Sequence, residues 1–256
     1  MHCIYNNKQF ISNKNWKKIF DDLYYNDYRC NYVEKIGMQY TFNPVTDHIM
    51  SNNSSLFNIK KAAAMYFWYK KGHLSDYSIL KYFDEYRKCI DINHKLFNSN
   101  YGYYAYRKKG LEKCIKELIK NKYSRQACFC INNNKAMDEN SIDKLCTNVI
   151  HFFIRHNTLI MVVQMRSSNF ITLLPYDAFM FSVFYMQVYR KLKGIYKDLC
   201  TGHIKMQVAS LHLYGDNLKS ITVSQNNKIP EQIINFESKN CETELEKYLL
   251  NKLKEK

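Results

Sequence analysis

The chain has 256 residues, enough for one large domain with a full hydrophobic core, and no change of composition marks a second domain. We therefore expect a single domain over residues 1–256. The formal net charge of +15 attracts anions such as nucleotides or nucleic acid, although lysine-rich coding alone would give the same charge. The prediction of a nucleic-acid partner thus rests on the net charge alone.

The nine cysteines are scattered along the chain and do not predict a disulfide scaffold in a chain of this size. The N-terminal ten residues show no apolar signal region, and no apolar run reaches the roughly 18 to 20 residues of a membrane span. We expect a soluble, cytoplasmic protein. Cys128 and Cys130 lie in an alternating, strand-like run without a second pair at metal-ligand spacing, which makes them strand residues and not a zinc site.

The first half of the chain is predicted to be mainly helical. Its clearest element is a helix with three alanines that ends at Gly72, a residue type that favours the left-handed conformation after a helix. The predicted elements are an amphipathic helix within 1–28, a loop, short helix and strand over 29–42, helices over 59–71, 75–89 and 111–122, and the strand around Cys128.

A β-hairpin dominates the centre of the sequence. Residues 148–155 and 159–166 are runs rich in Val, Ile, Phe and Met, and three turn residues at 156–158 separate them. Cys146 precedes the first strand and Arg166 ends the second. Pairing of the two strands therefore brings the thiol and the guanidinium towards the same end of the hairpin.

The second half continues with a long apolar helix that Pro175 starts and that reaches Lys193. An alternating run from Ile204 to Tyr214 predicts a strand. Two weak strands around Ile221 and Ile233 and a charged helix from Glu242 to the end complete the expected elements.

Several short motifs follow one another along the chain. They are Arg29 with Val33-Glu34, Phe67-Trp68 with Gly72, Asn100-Tyr101-Gly102, Ser124-Arg125, Cys146, Arg166-Ser167-Ser168, Leu174-Pro175-Tyr176-Asp177 and His212-Leu213-Tyr214. Together and in this order, these motifs resemble those of the thymidylate synthase family. The resemblance covers roughly residues 29–217, with a variable segment at 1–28 and a divergent one at 217–256. It implies an α/β (α+β) fold with a large mixed or antiparallel sheet packed by helices, and a homodimer paired back to back.

The resemblance also implies a reaction. In that family a cysteine thiolate adds to C6 of a pyrimidine nucleotide, and C5 then attacks a one-carbon unit on 5,10-methylenetetrahydrofolate. Cys146 occupies the nucleophile's position, and Arg125 matches an arginine that the family lends across its dimer interface. The implied nucleotide-binding residues are Arg29, Tyr101, Arg125, Arg166, Ser167, Asp177, His212 and Tyr214.

Asp177 bears on the choice of base. The thymidylate-forming members have asparagine at this position, whereas the family's deoxycytidylate hydroxymethylases, found in viruses that modify their DNA, have aspartate. A carboxyl group suits the cytosine edge with its N4 amine. The resemblance therefore predicts dCMP as substrate and, for a viral protein, the host cytoplasm as its location.

Several positions depart from the family pattern, and two of them bear most on the reaction. Met65 stands where the family has a proton-relaying glutamate, and methionine cannot act as an acid or base. Asn169 stands where an aspartate usually fixes the folate, so a role for methylenetetrahydrofolate is doubtful. Three functions stay open. The first is an active C5-modifying enzyme in which Asp84, Glu85 or a carboxylate of a partner chain replaces the glutamate. The others are a catalytically impaired nucleotide-binding or structural homologue and an unrelated nucleic-acid-binding module.

Overall fold

The computed structural model describes residues 32–49, 57–89, 97–132, 142–214 and 233–255. These residues form an α+β fold in which helices pack on a five-stranded mixed sheet. The predicted amphipathic helix within 1–28, the strand around Ile221 and Arg29 lie outside the described residues.

The sheet has the strand order β1-β5-β4-β3-β2. β4 and β5 run parallel, and the other three neighbouring pairs are antiparallel. The parallel pair is possible because a long helix carries the chain back between the two strands. The strands are β1 (Tyr32–Phe42), β2 (Cys128–Cys130), β3 (Thr147–Arg155), β4 (Thr158–Asn169) and β5 (Cys200–Tyr214).

Four α-helices are described, and the predicted helices before Gly72, after Leu111, after Pro175 and near the C-terminus are all confirmed. None of these described helices is long and apolar enough to cross a membrane. The helices are α1 (Ile59–Lys71), α2 (Gly110–Lys120), α3 (Leu174–Lys193) and α4 (Cys241–Lys254), with 3-10 helices at Ser78–Lys81 and Asp84–Cys89 and a π-helical segment at Tyr103–Arg107.

The predicted hairpin is present as β3 and β4, with a tighter turn than expected. Only His156 and Asn157 form the turn, with φ of 49° and 56°, and Arg155 pairs with Thr158. Two successive positive φ values match the right-handed twist of the paired strands. Thr158 therefore already belongs to β4.

Helix α3 lies against the centre of the sheet, and 16 of its 20 residues are buried. The Tyr185 hydroxyl donates to the Leu159 carbonyl at 2.7 Å and accepts from the Gly202 N–H at 2.7 Å. It thus joins β4 to β5 where their register shifts. A side chain at Gly202 would meet the Leu159 carbonyl oxygen, so this close approach requires glycine.

Three sequence predictions are wrong within the described residues. Residues 32–42 form one continuous strand and contain no helix, because pairing with β5 outweighs the local preference of the charged segment around Lys35. The expected helix over 75–89 is two short 3-10 helices. Residues 233–240 contain no strand; the N–H groups of Ile233 and Ile234 donate to the ring of buried His48 instead.

The two faces of the sheet differ. One face carries fully buried side chains such as Phe152, Val163 and Met206, against which the helices pack. The other, which we call the open face, carries half-buried or exposed side chains. Three glutamines cross it as a ladder: Gln164 Nε2 donates to Gln207 Oε1 at 3.1 Å, and Gln207 Nε2 donates to Gln39 Oε1 at 3.4 Å.

Candidate functional site

Several of the predicted site residues lie at one end of the sheet because of strand direction. β4 and β5 are parallel and end together, whereas β3 begins there. Arg166 pairs across the hairpin with the residue before β3, since its N–H donates to the Cys146 carbonyl at 2.8 Å. We call this group the strand-end cluster: Tyr101, Cys146, Arg166, Ser167, Asp177 and His212.

Arg166 is held in place by backbone carbonyls. Its Nε donates to the Leu145 carbonyl and its Nη2 to the Lys144 carbonyl, both at 2.8 Å. These bonds leave Nη1 and one N–H of Nη2 directed elsewhere, and no carboxylate of the described residues lies within ion-pair distance of the guanidinium. An exposed arginine that is held in place by carbonyl oxygens is suited to binding an anion.

Tyr101 lies beside Cys146. Its buried hydroxyl accepts from the backbone N–H of Thr147, the residue after the cysteine, at 3.3 Å. Burial raises the pKa of Tyr101 well above its usual value, and the neighbouring Cys146 and Asp177 raise it further. Cys146 is half-buried and not in a disulfide. The thiol and the carboxyl group therefore both lie near enough to the phenol to affect its pKa.

Asp177 sits in the first turn of α3 and is 9% exposed. Burial raises the pKa of its carboxyl group to about 8. Within the described residues the carboxyl group makes no hydrogen bond, although its charge also raises the pKa of Tyr40 and Tyr69. At neutral pH the group is a carboxylic acid that offers one donor and one acceptor.

Ser167 and His212 form the outer part of the cluster. The Ser167 hydroxyl and His212 Nδ1 are hydrogen-bonded at 3.2 Å. Burial lowers the pKa of His212, and the nearby Arg166 lowers it further. Tyr214 is 46% exposed, and its ring centroid lies 5.0 Å from that of His212. A serine, a histidine and a tyrosine thus face the same sheet end as Arg166.

Arg125 is not brought into the cluster. It is exposed and precedes β2, next to the part of β3 where the Phe152 N–H donates to the Ala127 carbonyl. Six residues of extended strand, about 20 Å, separate Phe152 from Cys146. Arg125 therefore cannot reach the thiol of its own chain.

The residues that depart from the family pattern have structural roles here. Met65 is 1% exposed in α1 and belongs to the core. Asn169 Oδ1 accepts from the N–H groups of Ile171 and Thr172, both at 3.0 Å, and so shapes the turn into α3. Neither side chain presents a carboxylate to a pterin, so the described residues at these positions do not fit methylenetetrahydrofolate.

Asp84 does not replace the missing glutamate. Its side chain is 85% exposed and pairs with Arg87 on the protein surface. The carboxylate therefore faces solvent and lies outside the strand-end cluster.

Sequence reasoning missed several polar groups of this region. Asp143 and Ser99, which join the segments leading to Cys146 and Tyr101, follow no recognisable spacing in the sequence. The hydroxyls of Tyr40, Thr147 and Ser168 are buried and have no hydrogen-bond partner among the described residues. A buried hydroxyl without a partner is uncommon and marks a place that water or a ligand can satisfy.

A cavity of about 770 Å³ lies elsewhere, between α2, the C-terminal half of α3 and the start of α4. Its lining includes Ile115, Met186 and Arg190 but no member of the strand-end cluster. This cavity is therefore separate from the candidate site at Cys146.

Comparison of the chain with models of known protein families and with curated proteins finds no match. The case for function therefore depends on the geometry of the strand-end cluster.

Proposed function

We propose that the strand-end cluster binds a pyrimidine deoxynucleoside monophosphate, with dCMP as the preferred ligand, and that Cys146 adds to C6 of its base. The protein would then be a C5-modifying enzyme similar to the dCMP hydroxymethylases of the thymidylate synthase family. The observation that carries the proposal is the Asp177 carboxyl group, which is 9% exposed and makes no hydrogen bond among the described residues. Asp177 and Cys146 both lie near enough to Tyr101 to raise the pKa of its hydroxyl.

Asp177 would read the base. As a carboxylic acid it donates to N3 of cytosine and accepts from the N4 amine, which satisfies both of its oxygens. Uracil presents a donor at N3 and an acceptor at O4, so a carboxylic acid can also pair with uracil when its other oxygen carries the proton. Discrimination between the two bases therefore depends on which carboxyl oxygen is protonated. The cytosine preference is the expectation taken from aspartate at this position, and a direct comparison of dCMP with dUMP tests it.

Arg166 would bind the phosphate. Its fixed guanidinium with outward N–H groups can form charge-assisted hydrogen bonds to phosphate oxygens. The Ser167 hydroxyl lies on the next residue and adds a neutral contact. His212 and Tyr214 would hold the sugar hydroxyl, as the resemblance implies.

Cys146 would activate the base. Its thiol loses a proton to solvent, the sulfur forms a bond with C6, and the π electron pair of the C5–C6 double bond moves to C5. Protonation of C5 from solvent, followed by loss of the original C5 proton and expulsion of the thiolate, restores the double bond. The net result is exchange of the C5 hydrogen, which needs no further reactant.

A second copy of the chain would complete the site. The open face carries half-buried apolar side chains such as Phe153 and Val162, which a partner sheet can bury. Back-to-back pairing would also allow Arg125 to reach the site of the other chain, since it cannot reach its own. Both points favour a homodimer.

Binding without group transfer is the second candidate, and a specific observation favours it. Met65 lies in the core and Asn169 is engaged in a turn, so the residues that would engage a folate one-carbon donor are not in place. In this case the cluster would still hold the nucleotide.

Mass spectrometry after incubation with 5-fluoro-dCMP, with and without methylenetetrahydrofolate, separates the two. An active enzyme should form an adduct on Cys146 that disappears in Cys146→Ser and persists in Cys200→Ser, a control that removes an exposed cysteine at the start of β5. If the nucleotide binds but leaves no adduct under either condition, the protein is a binding protein only.

A further inference from the structure

Asp143 is a buried carboxyl group at the base of the strand-end cluster. It is 3% exposed and precedes Cys146 by three residues. Its Oδ2 accepts from the Ser99 N–H at 2.8 Å, and its Oδ1 accepts from the Ser99 hydroxyl. The backbone carbonyl of Asp143 also accepts from Asn98 Nδ2 at 3.5 Å. The segment before Cys146 is therefore tied to the segment before Tyr101.

Arg166 holds the same segment from the other side. Its guanidinium binds the carbonyls of Lys144 and Leu145, the two residues between Asp143 and Cys146. Asp143 also lies close enough to Arg166 for their charges to interact. The orientation of the guanidinium thus depends on carbonyls whose position is set by the contact between Asp143 and Ser99.

We infer that Asp143 is a positioning residue for the phosphate-binding arginine, acting through the Lys144 and Leu145 carbonyls. The inference rests on the proposed nucleotide site and adds a residue to it that no motif indicates. Loss of the contact between Asp143 and Ser99 lets the two carbonyls move, so the N–H groups of Arg166 no longer point towards the bound phosphate. Base reading by Asp177 is unaffected because Asp177 belongs to α3.

This separation of roles gives a specific readout. The phosphate contribution is the ratio of the affinities for dCMP and for deoxycytidine, both measured by calorimetry. In Asp143→Asn, which keeps the size of the side chain but exchanges an acceptor for a donor, we expect this ratio to fall at least about fivefold while the deoxycytidine affinity stays the same. A purely structural role would lower the melting temperature and leave the ratio unchanged.

Ser99 provides the second variant and the rescue. Ser99→Ala should also lower the ratio of the dCMP and deoxycytidine affinities, but by less than Asp143→Asn does. Ser99→Thr keeps the hydroxyl and should have the same ratio as the wild type. Asp76→Asn is the matched control, because Asp76 also accepts from a backbone N–H, that of Ser78 at 2.9 Å, but lies outside the cluster. Its ratio should equal that of the wild type.

The outcomes separate the two proposals. If the wild type binds neither dCMP nor deoxycytidine, the proposed function fails. If the wild type prefers dCMP and the Asp143→Asn and Ser99→Ala variants show the same ratio, the nucleotide site stands and the role of Asp143 is refuted.

Discussion

The backbone N–H of Thr147 donates to the buried hydroxyl of Tyr101, 46 positions earlier in the chain. This hydrogen bond joins the residue after Cys146 to a tyrosine of the π-helical region, and Asp177 lies near enough to that tyrosine to raise its pKa. Thiol, phenol and carboxyl group thus come from three separate parts of the sequence. The arrangement makes the strand-end cluster a candidate ligand site.

Asp177 should make the stability of the protein depend on pH. Burial raises the pKa of its carboxyl group to about 8 in the folded state, whereas an unfolded aspartate titrates near pH 4. Between these values the folded chain holds one proton more, so the free energy of unfolding falls as the pH rises, by about 1.4 kcal/mol per pH unit for this group. Below about pH 4 the contribution is fully present, and it is lost as the pH passes about 8.

Urea denaturation at pH 5, 6, 7 and 8 measures this effect. We expect the free energy of unfolding of the wild type to fall across the series. In Asp177→Asn the fall should be smaller by about 1.4 kcal/mol per pH unit, the contribution of Asp177. The difference between the two proteins isolates Asp177 from other titrating groups. Parallel curves would mean that the carboxyl group is solvated or paired.

Arg166→Lys should weaken dCMP binding by about tenfold or more, although the charge is kept. Lysine cannot make the two carbonyl contacts and still present a planar pair of donors to a phosphate. Because Arg166 is exposed, we expect little change in the free energy of unfolding, within about 1 kcal/mol. Equal affinity of the two proteins, measured by calorimetry, would exclude a bidentate phosphate contact.

Val162→Lys should separate a homodimer formed through the open face. Val162 pairs in register with Lys205, so the substitution places two positive charges side by side where the partner sheet would pack. We expect the dissociation constant of the dimer, from sedimentation velocity, to rise about 30-fold or more. Ile119→Lys on α2, where the side chain is 43% exposed, is the control and should sediment as the wild type. A dimer that tolerates Val162→Lys uses another surface.

Met65→Glu should destabilise the protein and not restore a proton relay. The side chain is 1% exposed in the core, and an unpaired buried charge costs about 3 kcal/mol or more. Thermal unfolding should show a clear drop in melting temperature for Met65→Glu and almost none for Met65→Leu. Increased tritium release from C5 of labelled dCMP, without loss of stability, would show instead that position 65 reaches the site.

Local patterns predicted the parts of the fold that depend on neighbouring residues. The apolar runs around Phe152 and Met161, separated by turn residues, predicted the hairpin, and Gly72 predicted the end of α1, where its φ is 60°. β1 was partly misread as a helix because its pairing partner in β5 lies about 170 positions away in the chain. Local propensity does not contain that information.

The candidate site was predictable only where residues belong to motifs. Cys146 and Arg166 follow from the hairpin, because pairing fixes which residues share an end, whereas Ser167 came from the family resemblance. The link from Asp143 to Ser99 spans 44 positions and has no periodic signal. The neutral state of Asp177 was also not predictable, since it results from burial and not from the identity of nearby residues in the sequence.

The most direct test is calorimetric titration of the purified protein with dCMP, dUMP and methylenetetrahydrofolate, in parallel with Asp177→Asn. We predict that dCMP binds more tightly than dUMP to the wild type, that the order reverses in Asp177→Asn, and that folate alone gives no binding heat. Absence of dCMP binding to a protein with an intact Cys146 thiol would contradict the proposed nucleotide site.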